Sequence, residues 1–397
     1  MRGGDPKGGA SPFFFTPLKC GAKRRNLPVD FGKEGKMLRS LRLLFTAGIL
    51  PALLVPVALA GGPPFEFSTG GGDTTLKLGF LLQPQYEALE NAAGDTRHNV
   101  FFRRLRLMAG GKLAPKLSYF IESDSANLGK ENPGGDREAD IFLQDAYLSY
   151  AFRPEFQVDG GMIIVPVSHN TTQSAASLMT IDFGPCAFSS STPTRSKVGR
   201  DYGMQARGYI RNRLEYRVGV FRGNRNHDGD FPYRFTARVV YYPLEADTGY
   251  FYTGTSLGAK KVVAIGGSID RQGSYSANAV DFYLDHPLPG GDAVTAQANF
   301  IRYDGGGEYP FQSIAQQNTW LLEGAYYLRR ARLGPYIQFA SRDLTEPGAR
   351  DDGKIQGGVS WWVQKHRVNL KAGYGRLFSD DAADRSQFLV QAQFFYF

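Results

Sequence analysis

The sequence predicts an all-β protein: a closed antiparallel transmembrane β-barrel of about 16 strands. Three observations carry this. From Thr74 to the last residue, polar and apolar residues alternate with period two, in segments of roughly ten residues, the length a tilted strand needs to cross a bilayer. The two faces of these segments differ: one is apolar with aromatic ends, the other holds charge in mid-strand. The connections alternate between very short ones and longer polar ones, as do the periplasmic turns and outer loops of such barrels.

The chain has 397 residues, 29 Phe, 21 Tyr and 48 Gly, and a mean hydropathy of -0.31. Beyond the N-terminal region no stretch is long and apolar enough for a membrane-spanning helix. From Met37 the sequence MLRSLRLLFTAGILPALLVPVALA reads as a signal peptide over 37–60. Arg39 and Arg42 form its basic head, 43–57 its apolar middle, and Ala58-Leu59-Ala60 its cleavage signature. The alternative is a membrane anchor, but Pro51 and Pro56 interrupt the run. No Cys follows Ala60, against a lipoprotein. Residues 1–36 then read as a mis-assigned extension with the true start at Met37; Lys33-Glu34-Gly35 can be encoded by a purine-rich run resembling a ribosome-binding site. Residues 61–73 become a short periplasmic segment, too short for the plug of an active transporter.

Cleavage changes the charge. The chain has 46 Lys/Arg and 38 Asp/Glu; residues 1–60 hold ten and three of them, so the mature chain keeps 36 and 35. The net charge of +8 falls to about +1, and the basic pI of 9.3 is no argument for nucleic acid. Cys186 remains alone, so no intrachain disulfide forms.

The strands are expected at 74–86, 99–110, 116–124, 140–152, 155–165, 201–210, 213–222, 232–242, 259–271, 276–286, 292–303, 318–328, 332–342, 354–364, 366–377 and 386–397. Very short links (Arg153-Pro154, Arg211-Asn212, Arg329 to Ala331, Lys365-His366) alternate with longer ones such as 125–139, 223–231 and 304–317. An even count puts both termini in the periplasm. The connection 243–258 is long on the periplasmic side, against the pattern. Tyr241, Tyr242, Tyr326, Tyr374, Phe394 and Tyr396 are placed as interfacial aromatics of the outer face. The last strand carries Phe388, Val390, Ala392, Phe394 and Tyr396 on one side and Gln387, Gln391 and Gln393 on the other. A phase shift is expected at its end, where the terminal phenylalanine should rejoin the lipid face. A soluble β-sandwich would also alternate, but a sandwich of this many long strands is unusual.

The five histidines fall in loops or at strand ends. No nucleophile–base, metal or phosphate-loop spacing appears, so neither catalysis, metal nor cofactor is expected. The informative feature is the charged inner face. Arg104, Arg106, Arg207, Arg217, Arg234, Arg238, Arg367 and Lys371 are the candidate lining cations. Glu122, Asp124, Asp145, Glu215, Asp281, Asp285 and Glu323 are the candidate anions. Separate stripes of opposite sign would set a field across the pore; interleaved pairs would neutralise each other. The connection 166–200 is too long, and too apolar at Leu178, Met179, Ile181, Phe183 and Phe188, for a plain exposed loop. It is expected to fold into the lumen, with Arg195, Lys197 and Arg200 near the constriction; an outer lid is the alternative.

Five stretches then resemble one family: FFRRLRLMAGGKL (101–113), IFLQDAYLSYAF (141–152), GRDYGMQARGYIRNRLEYRVGVFRG (199–223), AVTAQANFIRYDGGG (293–307) and HRVNLKAGYGRLF (366–378). In this order they are similar to the phosphate-selective porin O/P family. The resemblance implies a sixteen-stranded outer-membrane barrel, usually a homotrimer, with a third outer loop folded inward at the position of 166–200. Phosphate-selective members resemble one another in an arginine ladder and a lysine cluster. Arg104 and Arg106 match an arginine-rich second strand, while the lysine cluster has no equivalent here. The expected function is therefore passive diffusion of small hydrophilic solutes and ions with weak anion preference. A phosphate or polyphosphate channel is the alternative in the same class; a barrel enzyme and a structural or adhesive barrel are alternatives of other classes. The expected partners are outer-membrane lipid and the barrel assembly machinery, whose C-terminal recognition signal Phe395 and Phe397 resemble.

Overall fold

The computed structural model describes residues 65–91, 93–132, 134–186, 199–223, 232–305, 316–345, 349–380 and 382–397. The expectations for 1–36, for the signal peptide 37–60, and for Phe188, Arg195 and Lys197 lie outside the described residues.

Eighteen strands are present among the described residues: β1 (Phe65–Thr69), β2 (Thr74–Glu90), β3 (Thr96–Ala114), β4 (Leu117–Asp124), β5 (Phe142–Arg153), β6 (Phe156–Ile164), β7 (Arg200–Ile210), β8 (Leu214–Phe221), β9 (Arg234–Tyr241), β10 (Val262–Gln272), β11 (Tyr275–Pro287), β12 (Ala293–Asp304), β13 (Gln317–Tyr327), β14 (Leu333–Leu344), β15 (Asp352–Trp361), β16 (Val363–His366), β17 (Val368–Ser379) and β18 (Ala382–Tyr396). Sixteen of them, all but β1 and β16, form a closed antiparallel barrel. Each pairs with its neighbour in the chain, and β18 closes the ring on β2. Closure removes the open sheet edges that a bilayer does not tolerate. At the seam β2 runs past the end of β18. Its surplus residues Thr74 to Leu78 pair with β1, folded back as a short hairpin that covers the exposed edge.

The expected alternation is visible strand by strand. In β9, Arg234, Thr236, Arg238 and Val240 are buried while Phe235, Val239 and Tyr241 are exposed. An outward apolar face suits lipid, not water. Tyr241, Tyr326 and Tyr374 lie on it. Tyr242 does not. It turns inward, is fully buried, and donates its phenol to Glu215 at 2.8 Å. The reason is parity: Tyr242 follows directly on the last residue of β9, and adjacent residues of an extended chain take opposite faces.

The short turns follow ordinary chemistry. Arg211 and Asn212 both take positive φ, the left-handed pair that matches the twist of a tight hairpin. The long-and-short rhythm is less regular than expected: the outer connections 91–95, 273–274 and 380–381 are short as well. Nor does the last strand change phase. Phe394, Phe395 and Tyr396 continue one register against Leu82, Leu81 and Phe80. Phe395 and Phe397 thus keep the inward side with the glutamines, packed around Leu81 and Met108. There the lumen is apolar enough to hold them, which removes the need for a bulge.

Candidate functional site: a lumen narrowed from both ends

Among the described residues, two chain segments enter the barrel. The first, 165–186, follows β6. It contains one helical turn, α1 (His169–Thr172), capped by Ser168, whose hydroxyl accepts from the Thr171 amide. Val165, Val167, Leu178, Met179 and Ile181 are all buried. The inner wall holds its backbone: the Gln83 amide donates to the Ala175 carbonyl, Gln393 to Ala176, and Gln338 to Asp182. The Lys371 ammonium donates to the Leu178 and Thr180 carbonyls, each at 2.7 Å.

The second segment, 243–261, is the long connection on the side of the termini. It was unexplained by the strand rhythm, and its burial accounts for it. Tyr250 stacks on Tyr147 with centroids 4.5 Å apart, and Tyr252 is buried between Arg217 and Arg238. The two segments then pair with each other. Tyr252 and Gln173 form a parallel bridge: the Tyr252 amide donates to the Thr172 carbonyl and the Ser174 amide to the Tyr252 carbonyl. Gly254 permits the approach, since a Cβ there would lie 2.4 Å from the Ser177 carbonyl oxygen. Lumen aromatics and hydrogen bonds bury apolar and polar backbone together, which a free loop could not do.

His169 sits at this junction. Its Nε2 donates to the Thr253 carbonyl at 3.1 Å, and its ring stacks on Tyr252 and Tyr283. Burial pushes its imidazole down to about 4, although Asp281 and Asp247 pull it up. The junction is built for a neutral ring. Its stability is complete above the ordinary value of 6.5 and falls as pH drops from 6.5 towards about 4. Channel conductance is expected to change as pH falls from 6.5 towards 4, and His169→Phe to reduce that dependence.

The inward charges are interleaved, not striped. Arg106 contacts Glu122 at 2.9 Å and Asp124 at 3.0 Å; Arg200 meets Asp145 at 3.0 Å, and Arg207 meets Asp159 at 2.8 Å. Arg217 meets Glu215 at 2.6 Å, Arg234 bridges Asp201 and Asp270, and Arg238 meets Asp281 at 2.6 Å. Neutralisation inside a low-dielectric wall is the first reason for this arrangement. Glu215 also accepts from Tyr209 and Tyr242. Glu215→Ala is expected to destabilise the barrel by about 3–5 kcal/mol, because it strands the buried Arg217 guanidinium. The midpoint of the heat-induced mobility shift in detergent gels measures it.

One cluster holds more cations than carboxylates. Gln83 faces Arg104 and Pro84 faces Phe102, so Arg103 is an extra residue in a β-bulge. The bulge turns both Arg103 and Arg104 onto one carboxylate, Asp182 of the first inserted segment, at 2.5 and 2.6 Å. Burial alone would raise that carboxyl, but the two guanidiniums outweigh it and hold it well below its ordinary range. Lys371 has carbonyl partners, and Lys354 is buried on the same inner wall without a carboxylate partner among the described residues.

Of the residues singled out from sequence, Arg104, Arg106, Asp145, Arg200, Arg207, Glu215, Arg217, Arg234, Arg238, Glu323 and Lys371 are buried on the inner wall. Arg367 is not. It lies in the turn before β17, its amide donating to the Gln364 carbonyl, with its side chain exposed. The inward parity starts only at Asn369. Arg103, Asp159, Asp182, Asp201, Asp270 and Lys354 were missed. Pro84 is the signal that could have found Arg103: a proline in a paired strand lacks its ladder donor and marks a bulge.

The sequence profile described as phosphate-selective porin O and P matches residues 76–279, just over half of the chain. No curated protein matches. Among solved structures, an anion-selective porin from Comamonas acidovorans superposes with a TM-score of 0.57 at 12% identity, over 82% of this chain and 100% of that one. Salmonella typhi OmpF in complex with daunomycin gives 0.56 at 12%, over 83% and 100%. A trimer form of OmpT, an outer membrane protein of Vibrio cholerae, gives 0.51 at 11%, over 82% and 100%. At such identities these likenesses speak for the fold.

Proposed function

The chain belongs to the phosphate-selective porin O and P family, outer-membrane porins of bacteria, and from this premise we propose a passive channel for small hydrophilic solutes with weak anion preference. The observation that carries the preference is the Asp182 cluster. Two guanidiniums share one carboxylate, with Lys371 and Lys354 on the same wall. Net positive charge at the narrowed part of a pore favours anions. Elsewhere carboxylates match or outnumber the cations, as where Arg106 and Arg200 meet Glu122, Asp124 and Asp145, so the preference is weak and a dedicated phosphate channel is less well supported. The Comamonas porin, described as anion-selective, agrees in kind.

The reading assigns the barrel no catalysis. Cleavage near Ala60, insertion by the barrel assembly machinery through the C-terminal Phe395 and Phe397, and assembly as a homotrimer belong to the same proposal. The trimeric Vibrio OmpT supports the last. The test is single-channel conductance of the refolded mature chain in a planar bilayer, with reversal potential under a salt gradient. Open channels with a modest anion bias are expected. A folded, heat-modifiable barrel without conductance would overturn the reading.

A further inference from the structure

Where the two inserted segments leave space, a cavity of about 260 Å³ remains against β2 to β5, β7 and β18. Its walls are aromatic, and they come from five separate parts of the chain. Phe120 of β4 is the hub. Its ring lies 5.6 Å from Phe397, 5.8 Å from Tyr147 and 6.1 Å from Phe251, centroid to centroid. Phe183 of the first inserted segment closes another side. Polar groups converge on one part of the wall: Arg106, Glu122 and Arg200. Behind them stand Asp124 and Asp145, so two guanidiniums meet three carboxylates and the site presents both signs within a few ångströms.

An apolar cavity of roughly 150 Å³ can hold a benzene ring. This one has room for a ring and a polar head, and its polar edge offers donors and acceptors together. A simple inorganic anion gains little here, because the cations are already paired and rings cover the remaining wall. A ring gains stacking and edge contacts with several partners. We infer that this cavity is a subsite for small solutes joining an aromatic ring to a zwitterionic or neutral polar head. The inference rests on the passive-channel reading and names a solute class for it.

The test uses the refolded mature barrel in a planar bilayer, with phenylalanine and leucine as probes of similar size and equal charge. Phenylalanine is expected to interrupt the current with dwell times about tenfold longer than leucine. Phe251→Ala is expected to remove most of that difference while the channel still conducts. Phe183→Ala, on the other inserted segment, gives the same readout should the first variant fail to fold. Equal dwell times for the two probes, or a difference that survives both substitutions, would overturn the inference while the porin reading stands. Absence of conductance in the unsubstituted barrel would instead remove the porin reading, and this inference with it.

Discussion

Deleting 248–253 together with 175–182 is expected to raise single-channel conductance at least about threefold, because a sixteen-stranded wall by itself encloses an aqueous channel. The two stretches belong to the two inserted segments, which meet in the lumen from opposite ends and are hydrogen-bonded to each other through Tyr252, Thr172 and Ser174. Their removal leaves the wall intact, since each barrel strand pairs with its neighbours independently of them. The side chains that hold them, such as Gln338, Gln393 and Lys371, would then face water, and their hydrogen bonds would be replaced by solvent. Each single deletion should give a smaller rise, because the surviving segment loses its partner but keeps its contacts to the wall. Unchanged conductance in a folded double deletion would place the ion path away from both segments.

Asp182→Asn is expected to strengthen anion preference, and Arg103→Gln with Arg104→Gln to reverse it. One charge about 8 Å from a permeating ion is worth about 2 kcal/mol at an effective dielectric of 20, more than tenfold in partition. Mobile ions screen part of this, leaving a change of about fivefold in the chloride-to-potassium permeability ratio. Reversal potentials in a potassium chloride gradient measure it. Because the two guanidiniums keep Asp182 ionised far into acid, the substitution, not mild acidification, is the way to neutralise it. Shifts of the same sign in both variants would mean that the cluster acts through the position of the inserted segment and not through its charge.

The barrel itself was legible in the amino-acid sequence. Alternation with period two needs only the residue order, and a sheet that buries neither face in a core but opposes lipid to a polar lumen writes that order plainly. The inward placement of Arg104, Arg207, Arg217, Arg234 and Arg238 follows from parity with Leu105, Ala206, Val218, Phe235 and Val239. So does the last strand, whose simple alternation the structure continues to Tyr396, where a shift had been expected. The apolar run 178–183 already signalled that the long connection after β6 needed burial.

Only the tertiary structure decided the rest. Parity cannot say which carboxylate an arginine meets, because partners such as Arg234 and Asp270 come from different strands. It fails for Arg103, since a bulge changes the count by one residue and no local pattern but Pro84 marks it. It misplaces Arg367, because where a strand begins depends on its neighbour's reach. The insertion of 243–261 was beyond it altogether. That segment is held by contacts over long separations in the chain, Tyr250 on Tyr147 and Tyr252 on Gln173, and such contacts exist only once the wall has closed around them.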